Sequence, residues 1–148
     1  MEWRATASIS VEDQARLLAQ LHTALEQRVH ELPAAPGGHA VTIRAAITRV
    51  ETISPSLNVL STLAVFAPLE QGGAAVEIEA VDSDTGQQYA VLKQGYFAPP
   101  WKLSAQFRSL GPAEVAIRKA SVDFASVLHP AVAQQHDAPP VVASVTAR

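Results

Sequence analysis

The 148-residue chain predicts an α+β domain, an antiparallel or mixed sheet of about four strands with two helices packed on one face. Two observations carry that expectation. Residues 39–96 hold three extended segments separated by turn-type sequences, and an amphipathic helical stretch flanks them on each side. A single domain is expected over residues 1–129, followed by a flexible tail over residues 130–148.

Residues 2–9 suit a short strand or an extended lead-in. Ser10 is placed to cap a helix, its hydroxyl accepting from the Asp13 amide, with Glu12 and Asp13 favoured by the positive end of the helix dipole. Over residues 11–32, Leu18, Leu21, Leu25, Val29 and Leu32 recur on one helical face, which Ala15, Leu17 and Ala24 widen. Pro33, Pro36, Gly37 and Gly38 then predict a tight connector. In the next strand, Val41, Ile43, Ala45 and Ile47 alternate with Thr42, Arg44, Ala46 and Thr48, as a sheet with one wet face requires. Residues 57–66 are apolar on both sides, which predicts a central strand after a Ser-Pro-Ser turn.

Residues 74–92 predict a hairpin folded at Asp82-Ser83-Asp84-Thr85-Gly86. Glu77 and Glu79 fall on its solvated face, and residues 95–101 predict an aromatic-rich loop. Gly111-Pro112 opens the second helix, proline being well suited to a first turn. Its expected buried side is Ile117, Ala120, Phe124, Val127 and Leu128; its polar side is Glu114, Arg118, Lys119 and Asp123. Pro130 is expected to stop it.

At this length roughly two thirds of the unfolded surface is buried on folding, so no metal or disulfide staple is required. Hydrophobic residues make up 48% and charged residues 17% of the chain, a globular rather than disordered balance. A net charge of −3 without a basic cluster argues against nucleic acid. No amphipathic helix has the Lys/Arg-rich face of a membrane-surface binder, and no apolar run has transmembrane length. The chain has no cysteine, which excludes disulfides, thiolate nucleophiles and cysteine-based zinc or iron–sulfur sites. Met1-Glu2-Trp3-Arg4 lacks the basic-then-apolar order of an export signal, so the chain is expected to be either cytoplasmic or a mature region whose signal was removed.

Candidate chemistry is sparse. Asp84-Thr85-Gly86 matches the aspartic-protease tripeptide, but such an aspartate must share a proton with a second one. A hairpin turn selects the same three residues, and that reading is preferred. A hydrolase using Asp82 or Asp84 would need a cleft and a raised carboxyl pKa. Asp82, Asp84, Glu77 and Glu79 lack the ligand spacing of a helix–loop–helix calcium site. His22, His30, His39, His129 and His136 have no metal-type spacing, and neither a nucleophile elbow nor a phosphate-binding glycine loop occurs. No catalytic residue, metal or cofactor is therefore expected. The candidate partner contacts are Tyr96, Phe97 and Trp101, since aromatics dominate binding hot spots. The competing and preferred reading folds Phe97 and Trp101 back over the edge of the core.

The strand at residues 42–48, the Ser54-Pro55-Ser56-Leu57-Asn58 turn, the run Gly72-Gly73-Ala74-Ala75-Val76-Glu77-Ile78-Glu79 and the Asp82-Ser83-Asp84-Thr85-Gly86 hairpin occur in this order. Together they resemble a family of bacterial envelope lipoproteins known only as a domain of unknown function, DUF3313. The likeness covers roughly residues 11–96. It implies a periplasmic protein, anchored in the outer membrane through a lipid-modified cysteine that this chain does not contain. It supplies no catalytic residues. The expected function is a non-enzymatic envelope accessory domain that contacts an envelope protein. The alternative is a small-molecule binding protein with a pocket between sheet and helices.

Overall fold

Alternation along residues 41–48 requires a partner strand of matching parity, and the chain supplies one in its hairpin. The computed structural model describes residues 1–5, 9–32, 40–65, 72–99, 101–133 and 142–145. In chain order the elements are β1 (Glu2–Trp3), α1 (Val11–His30), β2 (Ala40–Glu51), α2 (Pro55–Val65), β3 (Gly73–Asp82), β4 (Gln88–Phe97), α3 (Leu103–Gln106), α4 (Gly111–Ala133) and β5 (Val142–Val145). The sheet is mixed and four positions wide. β2, β3 and β4 are antiparallel, and the outer edge of β2 is shared by β1 and β5, both parallel to it.

β2 pairs with β3 from Val41↔Asp82 to Glu51↔Gly73, with one irregularity between Ile47 and Arg49. This register puts Val41, Ile43, Ala45 and Ile47 on the same side as Val76, Ile78 and Ala80, all buried. α1 and α4 cover that side, contributing Leu17, Leu21, Leu25, Ile117, Phe124 and Leu128 to a single core cluster. The Ser10 hydroxyl accepts from the Asp13 amide at 3.1 Å, as its sequence predicts. The fully buried stripe of α1 is Leu17, Leu21 and Leu25, with Leu18, Val29 and Leu32 at its margin and Ala15 in water.

Five expectations need correction. Residues 57–65 are helical, not a central strand: Pro55 occupies the first helical position, and the Asn58 amide donates to the Ser54 carbonyl at 3.1 Å. A short run apolar on both sides does not distinguish a buried strand from a helix, and here the proline start decides. β4 continues through Tyr96 and Phe97, which pair with Ala74 and Gly73, so the expected loop begins only at Ala98. Gly73 is required there, because a Cβ would collide with the Tyr96 carbonyl. α4 runs three residues past Pro130; so near a helix end, proline removes one hydrogen bond without ending the helix. Its packing side also differs: Glu114 is buried, and Val127 is 40% exposed. Within the expected tail, Val142–Val145 form β5. Residues 33–38, Phe66, Pro68, His39, His136 and Pro139-Pro140 lie outside the described residues.

Leu21→Asp or Ile43→Asp places a carboxylate where the native side chain is 0% exposed, a change costing more than about 4 kcal/mol, enough to unfold a domain of ordinary stability. Glu79→Lys removes two exposed contacts, a 3.5 Å pair with Arg44 and a 3.1 Å hydrogen bond from Gln88, together worth about 1 kcal/mol. Thermal melts should separate the first two variants sharply from the third. Equal melting temperatures for all three would contradict this arrangement.

Candidate functional site

The hairpin turn accounts for the most conspicuous carboxylate. Asp82 ends β3 and is buried, while Ser83, Asp84 and Thr85 project into water. One Asp82 carboxylate oxygen accepts from the Asp84 and Thr85 amides at 2.9 and 2.7 Å; the other accepts from the Tyr89 hydroxyl at 2.6 Å. Gly86 closes the turn at φ +72°, a conformation costly for any residue with a Cβ. The Tyr89 hydrogen bond, followed by that from Thr85, holds the Asp82 carboxyl well below the usual carboxylate range, against the opposing effect of burial. Asp82 thus acts as the acceptor that shapes the turn, the preferred reading of this motif.

A second polar cluster joins β4 to α4. The Tyr96 hydroxyl donates to Asp123 at 3.0 Å, and Lys119 reaches the same carboxylate oxygen at 2.9 Å. The Lys119 ammonium lies 5.2 Å from the centre of the Tyr96 ring, within cation–π range. Burial, then the Asp123 hydrogen bond, pushes the Tyr96 phenol up to about 12. The Lys119 hydrogen bond chiefly lowers the Asp123 carboxyl. Tyr96 is therefore a structural link, 6% exposed and withdrawn from any partner.

On the sheet face away from the helices, charge pairs cross between strands. Glu77 lies 3.3 Å from Arg4 and 3.6 Å from Lys93, and Glu79 lies 3.5 Å from Arg44. These residues line an open concavity of about 540 Å³. A pocket between sheet and helices is not where this space lies: that layer is filled by Leu17, Leu21, Ile43, Ile78, Ile117 and Phe124, each below 2% exposed. Among the described residues no three His, Asp or Glu side chains converge to hold a metal, and no helix is long and apolar enough to cross a membrane.

The strongest surface feature is the sheet end where β2 finishes, β3 begins and β4 finishes, fixed by Glu51↔Gly73↔Phe97. α2 connects two of these strand ends and has no charged residue. Its polarity is inverted: Asn58 and Ser61 are buried, whereas Leu57, Val59, Leu60 and Leu63 are 39–76% exposed. The Ser61 hydroxyl donates to the Asn58 carbonyl at 3.1 Å. Phe97 at 61% and Trp101 at 77% exposure stand at the same end. They do not fold back over the core, contrary to the preferred sequence reading. Of the three aromatic candidates, two are available to a partner and Tyr96 is not. The leucines of α2 were missed because those residues were expected to be buried strand.

Two titrations test the polar clusters. A carboxyl whose folded pKa is depressed adds stability above its unfolded pKa of about 3.9, and that contribution is lost as pH falls. Asp82→Asn keeps one acceptor but not the one serving Tyr89, so it should lower the melting temperature at pH 7 and leave a smaller difference from wild type in acid. A difference unchanged between pH 7 and pH 3 would contradict the turn's electrostatics. Tyr96 has the opposite sign: its raised pKa adds stability below about pH 10, lost as pH rises through about 12. Tyr96→Phe should cost about 0.5–1.5 kcal/mol and remove a phenolate absorbance step near pH 12. Persistence of that step would contradict the assignment.

Comparison with known proteins bears out the family resemblance. No curated protein and no solved structure matches the chain. The family model described as "Protein of unknown function (DUF3313)" matches residues 6–124, a span that includes α1, β2, α2, β3, β4 and most of α4. The chain belongs to this family of proteins of unknown function, DUF3313.

Proposed function

We propose that this domain is a non-catalytic accessory module of the bacterial envelope, periplasmic and acting by protein–protein contact through its apolar end. The carrying observation is α2, which turns Leu57, Val59, Leu60 and Leu63 to water while burying Asn58 and Ser61. A helix that only had to complete this fold would do the reverse. Exposed apolar side chains with aromatics among them have the composition of an interface core. Phe97 and Trp101 supply rigid anchors that lose little conformational entropy on binding.

The envelope setting rests on the resemblance of the residue 42–86 motifs to exported, lipid-anchored proteins. In this reading a lipid anchor upstream of the domain holds it at the outer membrane, where the apolar end meets an envelope protein. Neither a cofactor nor a metal is called for. The carboxylates nearest to a catalytic motif are engaged in the hairpin turn or stand exposed at its tip.

The test is a capture experiment from envelope extracts of a bacterium carrying a family member. Leu60→Glu and Trp101→Ala alter exposed positions and should change stability by less than about 0.5 kcal/mol. A specific protein retained by wild type and by Glu79→Lys, and lost with both apolar-end variants, is the expected result. Equal recovery by all four chains would overturn the apolar end as the contact surface. Fractionation of the tagged natural gene product to the cytoplasm would overturn the compartment.

A further inference from the structure

The outermost position of the sheet is built from two separate pieces of chain. Val142–Val145 pairs in parallel with Ala40–Ile43, and Glu2–Trp3 pairs in parallel with Ala46–Ile47. The Arg4 amide extends the second pairing by donating to the Ile47 carbonyl at 2.8 Å. Both pieces run the same way along the β2 edge opposite β3, β5 first and β1 after it. Neither belongs to the residue 6–124 span that matches the family. Within that span, β2 is left with one paired edge and one open edge, over buried Val41, Ile43, Ala45 and Ile47. An open edge above a finished core is a template for another strand.

β5 is held there loosely in a topological sense. It is not one arm of a hairpin: eight residues, 134–141, separate it from the end of α4, and it packs on β2 and α1. Four residues of parallel ladder form few hydrogen bonds, each worth about 0.5–1.5 kcal/mol net. The backbone groups of Ala40–Ile43 make the same bonds whether the incoming strand belongs to the same chain or to another. Only the connection distinguishes the two cases, and a short connection acts as an effective concentration in the millimolar range.

We infer that the β2 edge at Ala40–Ile43 is an exchangeable strand-acceptor site whose second occupant is residues 142–145 of another copy of this chain. The closed form dominates in dilute protein, and reciprocal exchange joins two copies as concentration rises. The site lies on the edge of β2, and it does not depend on the apolar end being a contact surface.

These 148 residues contain no cysteine, which makes the test clean. Thr42 and Ser144 are directly opposed in the β2–β5 register. A doubly substituted chain, Thr42→Cys with Ser144→Cys, should close a disulfide within one chain when oxidised dilute. Two singly substituted chains of different mass should then be mixed at rising concentration and oxidised. The expected result is a covalent heterodimer above the half share that random collision gives, suppressed when Ala143→Pro is added to the Ser144→Cys chain. Closure of the double variant with only a statistical share of heterodimer would overturn exchange. Failure of the double variant to close would overturn the acceptor site itself.

Discussion

The pairing of β2 with β3 is the constraint on which the remaining structure depends. Because successive side chains on a strand point to opposite faces, the register from Val41↔Asp82 to Glu51↔Gly73 decides which residues meet α1 and α4. A slip by one residue would turn Ile43 and Ile78 to solvent and carry Arg44 and Glu79 into the core. The adjoining β3–β4 pairing, which holds β3 in place, is guarded at both ends. At one end the Asp82 carboxylate ties together Asp84, Thr85 and Tyr89; at the other, Gly73 admits the Tyr96 carbonyl where no larger residue fits. The same register places the ends of β2, β3 and β4 together.

The two exposed regions of the molecule obey different physics. On the open sheet face, Arg4, Arg44 and Lys93 stand opposite Glu77 and Glu79, so charge is balanced locally and the face is content in water. α2, by contrast, has no charge and exposes its leucines, and Phe97 and Trp101 are exposed as well. Desolvating the charged face would cost more than its weak pairs return, while covering the apolar end releases water from surface with little to lose. That contrast, more than any single residue, separates the surface built to remain wet from the one suited to be covered.

Much of the architecture was legible because it rests on short-range rules. Ser10 before Glu12 and Asp13, the alternation of residues 41–48 and the Asp82 turn each state their structure within a few residues. The failures trace either to local signals passed over, such as Pro55 at a helix start, or to dependence on distant contacts. Residues 57–65 are apolar on both sides, and only the helix actually formed shows that Asn58 and Ser61 point inward. Strand β5 is four residues long and draws its identity from the β2 edge about a hundred residues away. The exposure of Phe97 and Trp101 follows from the placement of the sheet end, which composition does not encode. The candidate site was accordingly half visible: its aromatics could be named in advance, but its leucines and the withdrawal of Tyr96 could not.

The two tryptophans occupy contrasting surroundings. Trp3 lies in β1 beside Ile47 and packs partly against the core, whereas Trp101 is 77% exposed. Their indoles therefore differ in local polarity and in access to a dissolved collisional quencher. Intrinsic fluorescence thus reports on two places at once: a shielded component follows docking of the edge strand, and an accessible component follows whatever comes to cover the apolar end.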